Sequence, residues 1–420
     1  MNKKAFAISA LTVFVQYYDY HLFGFLAANI AIHFFPKADI IVQLLNTYFL
    51  MSIAMIAKPL GAIIFGRIGD LTGRSNSFII SLVGTSVASL ILFVTPSNDT
   101  IGLFSVFILL LCRMVISAFV SSGSDGVRIF VFEHLKSSMQ CFSISITTVF
   151  TLLGTLTASL SATAFGSSYF LNYNWKFAFL LGSVLGLAVI ILMKITNFKD
   201  QVEISKQPKF KKFKDLSIYE IVKTNKKLFA LCVLLIGAIG STNQFILIFF
   251  GTYNFQILET VEKSKMQEYI SISIVIYMIF SIIGGIIADK FGKYKITIIA
   301  AFALLPISFG QCYYLDKLEL SPILLFLTSA TLPFLTMPGA VILTKSIPIS
   351  IRYRLFSLSH AIGSIVISAP TAFISTFLYH QTNISWLPVC YFIVTILVIS
   401  FALYKLNKST SLSDEHKDTI

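Results

Sequence analysis

Asp19 and Arg113 each lie deep within a long apolar stretch. A charge at the centre of a bilayer costs about 2.5–3.5 kcal/mol on insertion scales, so each needs a partner or a task. The two stretches would run in opposite directions, which brings both groups to roughly the same depth. Substrate binding or proton coupling is one chemistry open to the pair; a buried structural ion pair fixing helix packing is the other. Gln16 and Tyr20 share the stretch that holds Asp19, and Asn243 and Gln244 sit near the middle of a later one. These six residues are the candidates for substrate binding or proton coupling.

A second set recurs along the chain. Gly66-Arg67-Ile68-Gly69-Asp70-Leu71-Thr72-Gly73-Arg74 and Gly285-Ile286-Ile287-Ala288-Asp289-Lys290-Phe291-Gly292-Lys293 both read G-x-x-x-D-x-x-G-(R/K), each just after the second hydrophobic stretch of its half. A polar hairpin duplicated between membrane helices marks a transporter built from two similar bundles. Gly66 and Gly73 allow close packing and a tight turn, while Asp70 can accept hydrogen bonds from a nearby helix N-terminus; Asp289 and Gly292 hold the matching positions of the second copy and are candidates for the same latch. Arg74 and Lys293 serve equally well as simple anchors on the positive side of the membrane. Lys58, Asp125 and Arg128 join these as gate candidates. Lys58 lies about two turns from a helix end and can snorkel. Asp125 is about 18 Å along a helix from Arg113 and can pair with Arg128 at i,i+3, near Glu133; an ordinary solvated helix end is the alternative.

The elements that carry these residues are membrane helices. The chain is 56% hydrophobic and 12% charged, with mean hydropathy +0.83 and 40 Phe. A soluble protein carries about a quarter charged residues, so the solvent here is lipid. Twelve spans are predicted, at 5–34, 41–65, 76–95, 101–127, 138–165, 175–195, 228–254, 267–288, 296–315, 321–344, 354–379 and 385–404. The fold class is an all-α membrane protein with twelve transmembrane helices in two six-helix bundles. The bundles are 1–195 and 228–404, joined by a cytoplasmic linker at 196–227 and followed by a tail at 405–420. A surface helix is expected around 215–224. Lys3 and Lys4 precede a long apolar run with no small-residue cleavage site, so the first helix is expected to be retained.

The net charge of +13 could suggest nucleic acid, but its distribution argues against it. Most Lys and Arg fall on the ends and on alternate loops. Only Lys37, Lys176, Lys263, Lys265 and Lys317 lie on the other side, and Lys58 and Arg113 inside spans. This is the positive-inside bias, which puts both termini in the cytoplasm. The linker lysines 209, 211, 212 and 214 can also touch anionic lipid. The five cysteines sit in apolar spans without CxxC spacing and read as small buried hydrophobes. The six histidines lack metal-ligand spacing, and no phosphate loop or catalytic triad is visible, so no metal, cofactor or enzymatic activity is expected.

Five segments give the chain a resemblance to the major facilitator superfamily, and within it to the metabolite:proton symporters that carry proline and betaine, 2-oxoglutarate, citrate or shikimate. Tyr17-Tyr18-Asp19-Tyr20-His21-Leu22-Phe23-Gly24 is similar to that family's WYDFxxYG. Lys58-Pro59-Leu60-Gly61, running into the first duplicated motif, is similar to RPLGxxxFGxxGDRxGR. Asn174-Trp175-Lys176-Phe177-Ala178-Phe179-Leu180 is similar to GWRxPFL, Gly251-Thr252-Tyr253 to PTY, and Pro348-Ile349-Ser350-Ile351-Arg352-Tyr353-Arg354 to P-T-x-V-R-Y. The resemblance implies that spans one, four, seven and ten line a central cavity, and that Asp70 meets the start of span eleven near Arg352–Phe356. The chain departs from the family at Gln16, Ile116, Ser117, Gly123, Lys345 and Leu71, where Gln16, Gly123 and Lys345 replace acids.

The sequence thus reads as a monomeric secondary transporter of the bacterial inner membrane. The resemblance implies proton-coupled import of a small polar metabolite. Arg113 offers a carboxylate partner, and loss of the acids at 16 and 123 removes groups that could hold an ammonium. That tilts the reading to an organic acid over a zwitterionic osmolyte. In the C-terminal half the polar candidates also include Thr252, Tyr253, Asn254 and His360, the last read as a helix-end histidine. A membrane-embedded enzyme or a sensor is the rival of another class. The first would show clustered His, Asp or Ser at one face, and the second a soluble output domain.

Overall fold

A computed structural model of the chain describes residues 3–72, 74–134, 137–166, 174–196, 218–348 and 351–415. The described residues are helical almost throughout. In the first half, α1 (Lys3–Phe25) and α2 (Ala27–Phe34) form one broken rod, followed by α3 (Ile40–Ala54) and α4 (Ala57–Thr72), α5 (Arg74–Val94), α6 (Phe104–His134), α7 (Gln140–Gly166) and α8 (Phe177–Ile195). The second half comprises α9 (Lys226–Gln244), α10 (Lys263–Phe291), α11 (Lys293–Asp316), α12 (Pro322–Ser346), α13 (Arg352–Gly363), α14 (Thr371–Thr382) and α15 (Leu387–Glu415). Among the described residues, nine helices are long and apolar enough to cross a membrane. Large apolar side chains such as Phe302, Val366 and Ile299 are exposed on the outside, as a lipid-facing surface requires.

Many hydroxyl groups inside these helices are satisfied locally. Thr47, Ser145, Thr336 and Thr344 each donate to the carbonyl four residues back, which lets polar side chains sit at depth without an orphaned donor. Small residues then allow close crossing: a Cβ on Gly61 would strike the Ala118 carbonyl, and one on Gly154 the Phe14 carbonyl.

Three π-turns interrupt the regular helix of the second half among the described residues. After α9 the backbone opens into π-turns at Phe245–Phe249 and Tyr253–Ile257, separated by one α-turn. A third π-turn, Ser364–Ser368, joins α13 towards α14. These interrupt the two spans that the sequence reads as continuous, 228–254 and 354–379, and π-turns commonly mark functional positions. The predicted linker helix is a short one, Ile218–Thr224, with Ile221 buried. The final helix continues to Glu415, past the predicted start of the tail.

The second duplicated motif closes α10 and opens α11. Gly292 has φ +99°, a conformation that side chains with a Cβ rarely adopt, so glycine is required there. The first motif likewise stands between α4 and α5. Gly73 and the side chains of Asp70 and Arg74 lie outside the described residues.

Candidate functional site

α1 has two working faces. Tyr17, Tyr20 and His21 share one, as i, i+3, i+4 neighbours do, and line a cavity of about 130 Å³ between the two halves. Gln16 and Asp19 share the other. Gln16 Nε2 donates to Ser81 Oγ at 2.9 Å, and Asp19 Oδ1 accepts from Ser89 Oγ at 2.8 Å, both from α5. A Cβ on Gly182 of α8 would strike Asp19 Oδ1, so the carboxylate is pressed into the seam of α1, α5 and α8. Neither Gln16 nor Asp19 lines the cavity.

Arg113 corrects the expected pairing. It is fully buried on α6, yet forms no ion pair with Asp19. Nη1 donates to the Tyr20 carbonyl at 2.9 Å, and the guanidinium carbon stands 4.8 Å from the Tyr20 ring and 5.0 Å from that of Phe23. Equal depth did not ensure equal azimuth: Asp19 leaves α1 towards α5 and α8, while Arg113 is held at the Tyr20 backbone and stacked on aromatic faces. Among the described residues Arg113 Nε and Nη2 and Asp19 Oδ2 have no hydrogen-bond partner.

The cavity wall carries other charges. Lys58, expected to snorkel, is buried instead, with Nζ donating to Ser364 Oγ of the second half at 2.9 Å and 5.6 Å from the Tyr20 ring. The π-turn after α13 supplies that serine and Ser368, another lining residue. Arg128 also lines the cavity; the Asp125 and Glu133 side chains lie outside the described residues. Among the described lining residues none is acidic, so the wall carries net positive charge.

The amide candidates both line the cavity. Gln244 Nε2 donates to Tyr20 Oη at 3.3 Å, and Asn243 Oδ1 is buried without a partner among the described residues. Tyr17, His21, Thr148, Thr151, Tyr277 and Thr336 are not among the sequence candidates, and His360 reads there as a helix end; all seven line the cavity. The signal for the first two was available in the i, i+3, i+4 spacing of polar aromatics around Asp19. For the α7, α10 and α12 residues no pattern separates a lining hydroxyl from one that merely bonds its own helix.

One contact ties the halves together away from the cavity. The Asp289 carboxylate accepts from Cys141 N at 3.1 Å and Phe142 N at 3.0 Å, capping the N-terminus of α7, and Lys293 Nζ lies 3.3 Å from Oδ1. A carboxylate at a helix N-terminus meets unsatisfied N–H groups and the positive end of the dipole.

This arrangement, an inter-half cavity with a motif-borne carboxylate on the facing bundle, accords with three comparisons. The chain is 25% identical over 410 residues to the proline/betaine transporter of Escherichia coli K12, covering 94% of this chain and 81% of that one. It is 26% identical over 423 residues to the glycine betaine/proline/ectoine/pipecolic acid transporter OusA of Dickeya dadantii, covering 97% and 84%. In fold it is similar to the xylose transporter XylE from E. coli in a partially occluded inward open conformation, with TM-score 0.74, 13% identity and coverage of 96% and 97%. Residues 9–316 match the sequence profile of the Major Facilitator Superfamily. The chain belongs to the major facilitator superfamily and is a multi-pass membrane transporter.

Proposed function

We propose that this transporter imports a small carboxylate-bearing metabolite together with protons, by alternating access of two six-helix bundles across twelve spans, with both termini in the cytoplasm. The observation that carries the reading is the cavity itself. Lys58 and Arg128 face a space with no described acidic residue, beside Tyr17, Tyr20 and the amides of Asn243 and Gln244. The two cations hold a carboxylate, and the tyrosine rings and amide oxygens take the rest of the solute. Asp19 serves as the proton site in the seam behind the cavity, and Arg113 supports the wall through Tyr20 rather than binding substrate itself. Asp70 and Asp289, with their glycines and basic neighbours, act as latches on the cytoplasmic side.

Of the two substrate classes, a zwitterionic osmolyte has the support of relatives named for proline and betaine. The basic cavity with no described acid keeps an organic acid as the second reading. The test is uptake into proteoliposomes of labelled proline, glycine betaine and 2-oxoglutarate, with and without an inward proton gradient. Accumulation of either zwitterion driven by the gradient supports the first reading. Accumulation of the dicarboxylate alone supports the second, and equilibration without gradient dependence refutes proton coupling.

A further inference from the structure

His21 is held in one orientation by a bond that fixes its tautomer. Its Nδ1 lies 2.8 Å from Thr155 Oγ1, and the same hydroxyl donates to the Thr151 carbonyl at 3.0 Å. A threonine hydroxyl has one hydrogen. Were it given to Nδ1, Thr155 Oγ1 would face the Thr151 carbonyl lone pair to lone pair. Both contacts are satisfied only if Thr155 donates to Thr151 and His21 Nδ1–H donates to Thr155. In the neutral ring Nε2 is then an acceptor. The ring is also wedged between Tyr17 at 5.5 Å and Tyr20 at 5.0 Å, the latter edge to face, so it cannot readily turn over. His21 lines the cavity, and with Nδ1 committed to Thr155 of α7 the ring's remaining lone pair is that of Nε2.

An acceptor there has a distinct use. The described charges on the wall, Lys58 and Arg128, are donors without acceptor capacity. A substrate nitrogen bearing hydrogens needs lone pairs, and the second half offers Asn243 Oδ1, which is buried without a partner among the described residues. His21 offers the matching lone pair from the first half. We propose that His21 Nε2 accepts an N–H from the bound solute, so that the cavity selects zwitterions with hydrogens on nitrogen over fully methylated ones. This inference rests on the zwitterion reading above. Proline, with a secondary ammonium, satisfies the acceptor; glycine betaine, a quaternary ammonium, leaves it unmade. A site built to hydrogen-bond a substrate group discriminates against the analogue lacking it.

The test is the ratio of kcat/KM for proline to that for glycine betaine in proteoliposomes, for the native chain, His21→Phe and His21→Gln. Phenylalanine keeps a ring between the tyrosines and removes the acceptor; glutamine keeps an acceptor oxygen. The ratio should fall about tenfold or more in His21→Phe, and His21→Gln should recover most of it. A ratio unchanged in His21→Phe, or a fall shared equally by His21→Gln, overturns the role of His21 while leaving the zwitterion reading intact. If the native chain transports neither compound, the zwitterion reading itself fails and this inference with it.

Discussion

Asp289→Ala removes a contact whose strength can be worked from its geometry. The carboxylate belongs to the second half, and both backbone N–H groups it accepts from, at Cys141 and Phe142, belong to the first. Replacing a capping carboxylate by alanine costs about 0.5–2 kcal/mol, and loss of the anion–dipole attraction adds about 0.3–1 kcal/mol. The Lys293 contact at 3.3 Å is an i,i+4 pair whose lysine side chain is 21% exposed, and it adds only about 0.3–0.5 kcal/mol. A total near 2 kcal/mol corresponds to roughly a 30-fold shift between conformations that keep the contact and those that break it. In the proposed alternating-access cycle the halves part at this point in one half of the cycle. Asp289→Ala should therefore raise the population open on that side and change turnover, with KM moving much less. The assay pairs proteoliposome uptake kinetics with alkylation of a cysteine placed at Ser145, at the crossing of α7 and α10. That site is closed over by Gly285, where a Cβ would strike Ser145 Oγ. Faster alkylation with altered kcat is expected. A raised KM with unchanged alkylation and kcat would refute the latch and move Asp289 into substrate binding.

Three further outcomes follow from the same geometry. Lys58→Met should raise KM for a carboxylate-bearing solute by about tenfold or more, the scale of a hydrogen bond to a charged group; Lys58→Arg should recover part of it, and an unchanged KM in uptake assays would remove Lys58 from the binding site. Asp19→Asn, which keeps an oxygen for Ser89 Oγ, should abolish gradient-driven accumulation while leaving counterflow exchange measurable; accumulation that persists would make Asp19 structural. Gly182→Leu should push the Asp19 carboxylate out of its seam and lower thermal stability in detergent by several degrees, whereas a variant melting like the native chain would show that α8 does not pack there as described.

The family and the helical class were legible in the sequence because they rest on local signals. Length of apolar runs reports depth in the bilayer, and two copies of one motif report a repeat, without any knowledge of packing. What depth cannot report is azimuth. Position along the apolar runs sets Asp19 and Arg113 at a similar level, but a helix advancing 3.6 residues per turn puts residue 19 away from residues 17, 20 and 21. The same helical periodicity that turns Asp19 from the cavity brings Tyr17, Tyr20 and His21 to it, and the i, i+3, i+4 spacing of these polar aromatics marks that face. Lys58 failed differently. A long cationic side chain near a helix end has two ways to satisfy itself, headgroups or a neighbouring helix, and only the π-turn at Ser364–Ser368 decides between them. That turn depends on how α13 packs on α9, where the Gly363 carbonyl would lie 2.8 Å from a Cβ on Gly237, a contact between residues far apart in sequence. The residues that line the cavity are therefore set by two kinds of information: a face on α1, written locally, and irregular backbone in the second half, written only in the packing. The first half of the cavity could be read in advance from α1; the second needed the fold.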